Sequence, residues 1–366
     1  MSEAGAVQGH AVGIVGAGAI ACGTAALLSR SGHRVFLWSP SGKGTAAFAA
    51  GSPLRAEGAI EGAFEVGVAS SAEELVAAAD VVILALPANA HRQMMDEIAP
   101  YLMRRHVVII SSHASLGALY LSRLLRDREL DLPIVAWGTT VVSGRLAGPA
   151  HVRVNTVRGK IDMCTVPERR SEEGLSLCRQ LFGDRFVERE GLLAIALSNL
   201  NPQNHMGIAL CNMTRMERGE HWDQGLNVTP NVGRLLEQLD AERLAIATAL
   251  GLKVRTIFEH FHLSFHVPMG SVSDMNQEMS RLGRGGTGPA TADSRYATED
   301  VPFGLLATVR LGELAQRPAR LHRAGVDIFS ALYGRDFSAE NDLLRALALD
   351  ALSLGELKHL AREGFT

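Results

Sequence analysis

The sequence predicts an α/β protein in which a doubly wound sheet is followed by an all-helical C-terminal region. Three observations lead to this fold class. Short apolar runs alternate with helical stretches in the first half, a pattern typical of parallel strands joined by right-handed helical crossovers. A glycine-rich turn separates the first apolar run from the first helix. From about Leu192 the apolar residues recur every three to four places, which is the spacing of amphipathic helices.

The individual elements follow from the same patterns. Strands are predicted at 12–15, 34–38, 80–87, 106–112 and 133–138, and further strands within 152–166 and 182–189 are expected to extend the same sheet. Helices are predicted at 192–210, 232–250, 303–316, 319–333 and 353–361. The chain of 366 residues exceeds the roughly 250–300 residues at which single cores stop growing. We therefore expect two domains, 1–190 and 191–366.

Composition excludes several classes of protein. The net charge of -3 provides no basic surface for nucleic acid. No stretch reaches the ~18 apolar residues of a membrane span, and the N-terminal stretch at 1–13 lacks the charged region of a secretory leader. The four cysteines are scattered without metal-ligand spacing, so free thiols and no metal site are expected. These observations favour a soluble cytoplasmic protein.

The glycine-rich turn has the spacing of a dinucleotide-binding fingerprint. Gly16 permits the tight turn, Gly18 lets the backbone approach a pyrophosphate, and Ala21 lets helix and strand pack closely. The backbone N–H groups of Ala19 and Ile20, at the start of the helix, would face the phosphates. Because the turn follows a strand and opens a helix, the sequence predicts nucleotide binding here.

The end of the second predicted strand bears on which cofactor binds. An acid at this place accepts hydrogen bonds from the ribose of NAD, whereas this chain has Ser39 followed by Ser41 and Lys43. Hydroxyl and ammonium groups suit a 2′-phosphate, so NADP is favoured and NAD is left open. Pro87 ends another strand on the same edge of the sheet. Such a residue passes beside the nicotinamide in many proteins, although it can equally be an ordinary strand terminator.

Two polar segments stand out in the helical half. In LSNLNPQNHMG, Asn201 and His205 are four residues apart and share a face if the helix persists, with a kink or a restart at Pro202. Histidine transfers protons near neutral pH, although a lone histidine is often a core residue.

In SRYATEDVPFG, Arg295 precedes the acids Glu299 and Asp300. A guanidinium binds a carboxylate in a bidentate way, and a carboxylate orients a histidine. A solvated surface loop is the alternative. The stretch 270–290, rich in Gly, Ser and Met, is predicted as a long loop that covers a site.

Together these segments resemble the opine dehydrogenases of the octopine and N-(1-carboxyethyl)norvaline dehydrogenase type. The resemblance covers nearly the whole chain and includes four segments: GIVGAGAIA, LSNLNPQNHMG, NVGRLLEQLDAERLAIATALGL and SRYATEDVPFGL. The last two are long and specific, whereas the glycine turn alone would also fit ketopantoate reductases and glycerol-3-phosphate dehydrogenases.

The resemblance implies a nucleotide-binding Rossmann domain, a helical substrate domain and an active site between them. It also implies NAD(P)H-dependent reduction of the imine formed from an amino acid and a 2-oxo acid. By the same resemblance His205 pairs with Asp300, Arg295 holds the substrate, and Asn201 orients the substrate or the nicotinamide. The residues 206–227 and the loop before Arg295 would line the amino-donor pocket.

Some alternatives stay open at this point. Ser39 replaces the acid of NAD-using relatives, and the identity of the amino acid and of the 2-oxo acid does not transfer. A 2-oxo acid or ketone reductase without an amine substrate is one rival interpretation, and a non-catalytic NADP-sensing regulator is another. The expected partners are small molecules only, and a homodimer is one assembly that the sequence allows.

Overall fold

The computed structural model describes residues 9–365 and divides them into two compact units. The first unit runs up to His113 and adds Gly117–Ile195 and the residues from His359 on, while the second contains Ala114–Leu116 and Ala196–Lys358. The end of the chain thus clusters with the first unit, whereas the predicted second domain extended to the last residue. Most of the stretch on which the leader interpretation rests, residues 1–8, lies outside the described residues.

The first unit contains the strands of the protein. They are β1 Ala11–Val15, β2 Arg34–Trp38, β3 Leu54–Gly58, β4 Gly62–Phe64, β5 Gly67–Val68, β6 Val81–Leu84, β7 Val107–Ile110, β8 Ile134–Trp137, β9 Val142–Gly148, β10 His151–Val157, β11 Ile161–Val166 and β12 Phe186–Glu188. Eight strands form one sheet in the order β12-β11-β8-β7-β6-β1-β2-β5. Strands β5, β2, β1, β6, β7 and β8 pair in parallel, which confirms the doubly wound core.

The prediction that 152–166 extends this sheet as a whole is wrong. β11 joins it antiparallel to β8, but β10 lies in a separate four-stranded sheet of order β4-β3-β10-β9. The two strands differ in how their side chains alternate between buried and exposed positions. β10 alternates buried and exposed residues along HVRVNTV, as a strand with one solvated face does, whereas β11 is almost entirely buried. Because β11 runs antiparallel to β8, the main sheet is mixed.

The helices are α1 Ala19–Arg30, α2 Ala46–Ala49, α3 Ala72–Ala78, α4 His91–Ile98, α5 Gly117–Arg126, α6 Ser171–Phe182, α7 Gly191–Ser198, α8 Asn201–Glu217, α9 Pro230–Leu250, α10 Ile257–Phe265, α11 Val272–Arg281, α12 Arg295–Thr298, α13 Leu306–Leu314, α14 Arg320–Tyr333, α15 Phe337–Glu340, α16 Asp342–Leu347 and α17 Leu354–Glu363. The second unit is all-helical among its described residues, as predicted. The predictions at 232–250, 319–333 and 353–361 are confirmed by α9, α14 and α17.

The helix predicted at 192–210 is two helices, α7 and α8. Pro202 is the second residue of α8, where its missing N–H costs no ladder hydrogen bond, so the helix restarts at the proline. The helical conformation is interrupted later, at Asn212. The helix predicted at 303–316 begins instead as a π-helical turn, Val301–Leu305, which continues into α13.

The long loop predicted at 270–290 is also wrong in part, because it contains α11. The Ser271 hydroxyl accepts a hydrogen bond from Asp274 N at 3.1 Å and caps the start of this helix. Val272, Met275 and Met279 are buried on one face. Their spacing of three and four residues is the signal that the Gly- and Ser-rich composition concealed.

Each unit has its own apolar core, centred on β1, β6 and β7 in the first and on α8, α9 and α11 in the second. The four cysteines are free, as expected, with Cys211 exposed. Within residues 9–365 no helix is both long and apolar enough to cross a bilayer.

Candidate active site

The glycine turn after β1 has the geometry that its residue types predict. Gly16 has a φ of 123°, a conformation that residues with a Cβ rarely adopt. A Cβ on Gly16 would meet the carbonyl oxygen of Ala85 at 2.6 Å, whereas a Cβ on Gly18 would have no atom within 4 Å. Gly16 is therefore required by packing between β1 and β6, and Gly18 faces open space.

The start of α1 fits the pyrophosphate of a dinucleotide. Gly18 caps this helix without any side-chain hydrogen bond, and Ala19 and Ile20 are partly exposed while Ala21 is fully buried. A helix N-terminus presents N–H groups and a positive dipole end to an anion. With no side chain at Gly18 to fill the space, an anion can approach this backbone closely.

The loop after β2 folds back towards the glycine turn. A Cβ on Gly44 would lie 2.7 Å from the Cβ of Ala17, so the two segments are in close contact. Ser39 is partly buried and Lys43 is exposed in this loop, and Ser41 Oγ accepts from Lys43 N at 3.4 Å. The close approach of Gly44, which sequence reasoning missed, keeps the Ser39 and Lys43 loop beside the turn.

Pro87 stands near the same edge of the sheet. Ala85 N donates to Val15 O at 3.0 Å, and the Ala85 carbonyl is the group that Gly16 approaches. Pro87 follows two residues later and begins the turn Ala88–Ala90. The structure thus brings the predicted cofactor residues together at the carboxyl end of β1, β2 and β6.

In the helical unit, a histidine and an aspartate form a close pair. His205 Nδ1 donates a hydrogen bond to Asp300 Oδ2 at 2.7 Å, because the carboxylate can only accept. The side chains are 14% and 7% exposed, respectively. The second ring nitrogen, Nε2, is therefore the one left to exchange a proton with a substrate.

Packing between two motifs places this pair. α8 packs against α12 and against the π-helical turn, and a Cβ on Gly304 would overlap the ring of Pro202. Gln203 is turned to another side of α8, where its amide donates to Asp240 Oδ1 at 3.1 Å. The polar residues of NPQNH therefore have separate tasks, with Pro202 and Gln203 anchoring the helix that carries His205.

Arg295 lies against the same carboxylate. Its Nε is 3.6 Å from Asp300 Oδ2 and 3.8 Å from Glu299 Oε2. Partial burial would lower the pKa of Arg295, but the charges of Asp300 and Glu299 outweigh that effect and raise it. The side chain is 55% exposed. The sequence interpretation gave Arg295 and Asp300 separate roles. In the structure the two side chains are neighbours, because Asp300 Oδ2, which accepts from His205, also lies next to Arg295 Nε.

Asn201 occupies the first position of α8, four residues before His205, and is exposed. Its backbone N–H donates to Asn199 Oδ1 at 3.1 Å.

Two further residues near the pair were not identified from the sequence. The Tyr296 ring stacks on the imidazole of His205, and its hydroxyl donates to Gln224 Oε1 at 2.6 Å. Tyr296 stands inside the SRYATEDVPFG motif, so its place next to Arg295 is a signal that could have found it.

Across residues 9–365 no group of three or more His, Cys, Asp or Glu side chains is arranged to hold a metal ion.

A Rossmann-type sheet with an open glycine turn, together with a helical unit that carries a carboxylate-oriented histidine, defines a nicotinamide-dependent oxidoreductase. Comparison with known proteins agrees. Residues 188–333 match the family model for the NAD/NADP octopine/nopaline dehydrogenase α-helical domain, and residues 12–167 match the ketopantoate reductase PanE/ApbA model.

The chain is 31% identical over 284 residues to an opine dehydrogenase of Arthrobacter sp. (strain 1C), covering 76% of this chain and 78% of that protein. It therefore belongs to the opine dehydrogenase family, whose members are NAD(P)-dependent oxidoreductases that act on the CH–NH bond. Two solved structures share the fold. An octopine dehydrogenase with NADH and L-arginine has a TM-score of 0.80 at 17% identity and covers 98% of this chain and 100% of its own. A yersinopine dehydrogenase with NADP⁺ has a TM-score of 0.70 at 18% identity and covers 93% and 97%.

Proposed function

We propose that this enzyme condenses an amino acid with a 2-oxo acid such as pyruvate and reduces the resulting imine to an N-(1-carboxyalkyl) amino acid. The cluster of His205, Asp300 and Arg295 is the observation that carries the proposal, because it combines a proton carrier with a cation for a carboxylate. The relatives point the same way, since solved octopine dehydrogenases hold L-arginine or pyruvate.

The side chains of the helical unit supply binding and proton transfer. Arg295, which is half-exposed, binds the carboxylate of the 2-oxo acid. His205 Nε2 gives one proton to the carbonyl oxygen and the attacking amine nitrogen gives up the second, so the oxygen leaves as water and a protonated imine remains. Asp300 fixes the orientation of the imidazole through the hydrogen bond to its Nδ1. Asn201, exposed at the start of the same helix, orients the substrate or the nicotinamide. The first unit would hold the dinucleotide and the second unit the two substrates.

The nicotinamide cofactor, when bound, supplies the hydride that reduces the imine carbon. Gly16, Gly18, Ala19, Ile20 and Ala21 would hold its pyrophosphate, and Pro87 would pass beside its nicotinamide end. We propose NADP as the preferred cofactor, with NAD as the alternative. Support comes from Ser39 and Lys43 in the loop after β2, where no carboxylate stands to repel a 2′-phosphate.

A substrate screen tests the function directly. NADPH oxidation is measured with each of a panel of 2-oxo acids, alone and with each of the common amino acids, and the products are identified by mass spectrometry. The proposal expects turnover only when an amine is present and a product mass equal to amino acid plus oxo acid minus water plus two hydrogens. Turnover with the oxo acid alone would support a simple reductase instead. Tight NADPH binding without turnover in any combination would support a regulator.

A further inference from the structure

The imidazole of His205 has one face covered by an aromatic ring. The centroids of the His205 and Tyr296 rings are 3.6 Å apart and the ring planes differ by 8°, so the two rings stack nearly parallel. Asp300 holds the same imidazole at its Nδ1 edge. Since one contact acts in the ring plane and the other perpendicular to it, both the tilt and the rotation of the imidazole are restrained.

Tyr296 is itself anchored through its hydroxyl. The O–H donates to Gln224 Oε1 at 2.6 Å. Burial raises the pKa of Tyr296 to about 12, partly opposed by the charge of Arg295. The phenol is therefore protonated at neutral pH and remains a donor. This contact joins α12 to the segment 219–228, which is distant from it in sequence.

Gln224 is fixed by its own neighbours. Its backbone N–H donates to Gly286 O at 3.0 Å, and the adjacent Asp223 pairs with Thr287 in an isolated antiparallel β-bridge. Asp223 Oδ1 also accepts from Ser280 Oγ at 2.5 Å and from Leu226 N at 2.8 Å. The segment 219–228 is thus joined by hydrogen bonds to residues 280–287, and Gln224 in this network accepts from the Tyr296 hydroxyl.

We propose that Tyr296 is a positioning residue for the reaction, which holds the His205 ring in the plane that aims Nε2 at the substrate, and that Gln224 locks the tyrosine in place. The inference rests on the proposed role of His205. A displacement of about 1 Å in a reacting group can lower the rate about a hundredfold, so a side chain that prevents tilting of the imidazole affects kcat more than substrate binding.

Four variants separate the stack from the hydroxyl contact. Tyr296→Leu removes the ring and the hydroxyl but keeps an apolar side chain, and we expect kcat to fall about 10- to 100-fold, with the KM of the 2-oxo acid within threefold of the native value. Tyr296→Phe keeps the stack and rescues most of the rate, leaving a loss of two- to fivefold. Gln224→Ala gives the same modest loss. The double variant Tyr296→Phe/Gln224→Ala is no worse than either single variant, because each single substitution already removes the same hydrogen bond between Tyr296 and Gln224.

Tyr333→Phe is the matched control. Tyr333 lies in the same unit and its hydroxyl donates to Ala292 O at 2.6 Å, so this variant loses a comparable phenol hydrogen bond without touching His205. We expect its kcat to stay native. An equal loss of kcat in Tyr333→Phe, or native kcat in Tyr296→Leu, would overturn the proposal.

A readout without turnover distinguishes this proposal from the proposed function. In the NMR spectrum of the histidine-labelled protein, the ring protons of His205, assigned by their disappearance in His205→Gln, should show an upfield ring-current shift. The shift is lost in Tyr296→Leu and retained in Tyr296→Phe and Tyr333→Phe. If native enzyme turns over no amine and oxo acid, the proposed function fails while this stacking test still holds. If the shift is absent from native protein, the positioning role fails alone.

Discussion

Asp300 lies 95 positions after His205 in the chain, yet its Oδ2 accepts a hydrogen bond from His205 Nδ1 at 2.7 Å. The same oxygen is 3.6 Å from Arg295 Nε. One carboxylate thus orients the histidine proposed as the proton carrier and neighbours the cation proposed to bind the oxo acid. Catalysis and substrate binding are therefore expected to be coupled through Asp300.

Replacing His205 tests the proton carrier. A positioned acid–base group typically contributes about 10²–10⁴-fold, so His205→Ala should lower kcat by that range and leave the dissociation constant for NADPH unchanged. Steady-state kinetics and cofactor fluorescence titration measure the two quantities. His359→Ala, an exposed histidine, is the control and should retain native kinetics. Near-native turnover in His205→Ala would remove the assignment.

Replacing Arg295 and Asp300 separates binding from chemistry. A hydrogen bond to a charged group contributes about 1.5–3 kcal/mol, so Arg295→Ala should raise the KM of the 2-oxo acid about 10- to 100-fold, and Arg295→Lys should be intermediate. Asp300→Ala should mainly lower kcat. Because Arg295 Nε lies 3.6 Å from Asp300 Oδ2, the two substitutions affect one shared contact. The kcat/KM of the double variant should therefore fall by less than the product of the two single losses. Strictly multiplicative effects, measured in a double-mutant cycle, would contradict this coupling.

The loop after β2 should decide the cofactor. Lys43→Ala should weaken NADPH about tenfold, as expected for one charge-assisted contact of about 1.4 kcal/mol, and leave NADH within about twofold. Ser39→Asp should weaken NADPH further and favour NADH, because a carboxylate repels the 2′-phosphate. Fluorescence titration with both nucleotides measures the preference, and Lys160→Ala, exposed before β11, serves as control. If Lys43→Ala weakens both nucleotides equally, the 2′-phosphate contact is wrong.

Removing one partner of a buried ion pair should destabilise the helical unit. Arg243 and Asp240 are each 2% exposed with Nη2 and Oδ1 2.6 Å apart, and Asp240 Oδ2 also accepts from Ile257 N at 2.9 Å. Breaking a buried pair typically costs about 3–5 kcal/mol. Arg243→Met should therefore shift the urea midpoint strongly to lower concentration.

The double variant Asp240→Asn/Arg243→Met should recover part of that loss, because it no longer leaves an uncompensated charge. Arg281→Ala, in an exposed pair with Glu278, should leave the midpoint unchanged. Equal midpoints for Arg243→Met and Arg281→Ala would show that burial of the pair contributes nothing.

Two buried histidines should make the first unit less stable in acid. Burial lowers the pKa of His91 to about 4, and burial with the charge of His91 lowers the pKa of His113 to about 3. An unfolded histidine titrates near 6.5, so below that pH the unfolded chain binds protons that the folded protein does not. Each histidine should reduce the free energy of unfolding by about 2 kcal/mol between pH 7.5 and pH 5.

His113→Gln should flatten this pH dependence, whereas His359→Gln should not. Urea denaturation across that pH range measures the difference. Identical pH slopes for His113→Gln and the native protein would contradict the depressed pKa.

Local sequence determined much of this protein. The fingerprint with Gly16, Gly18 and Ala21 predicted its strand, turn and helix because positive φ and close packing admit few residue types. The apolar residues that recur every three to four places from Val232 predicted α9, because this spacing puts them on one face of a helix. The resemblance of two motifs to opine dehydrogenases indicated that His205, Asp300 and Arg295 act together.

Tertiary structure decided what has no local signature. The strand at 151–157 pairs with β3 and β9 in the second sheet, and its own alternating pattern does not specify those partners. Packing of α8 against α12 and the π-helical turn, where Gly304 approaches Pro202, brings His205 next to Asp300 and Tyr296. Such contacts join residues far apart in sequence, so they depend on how whole helices pack and not on any short pattern.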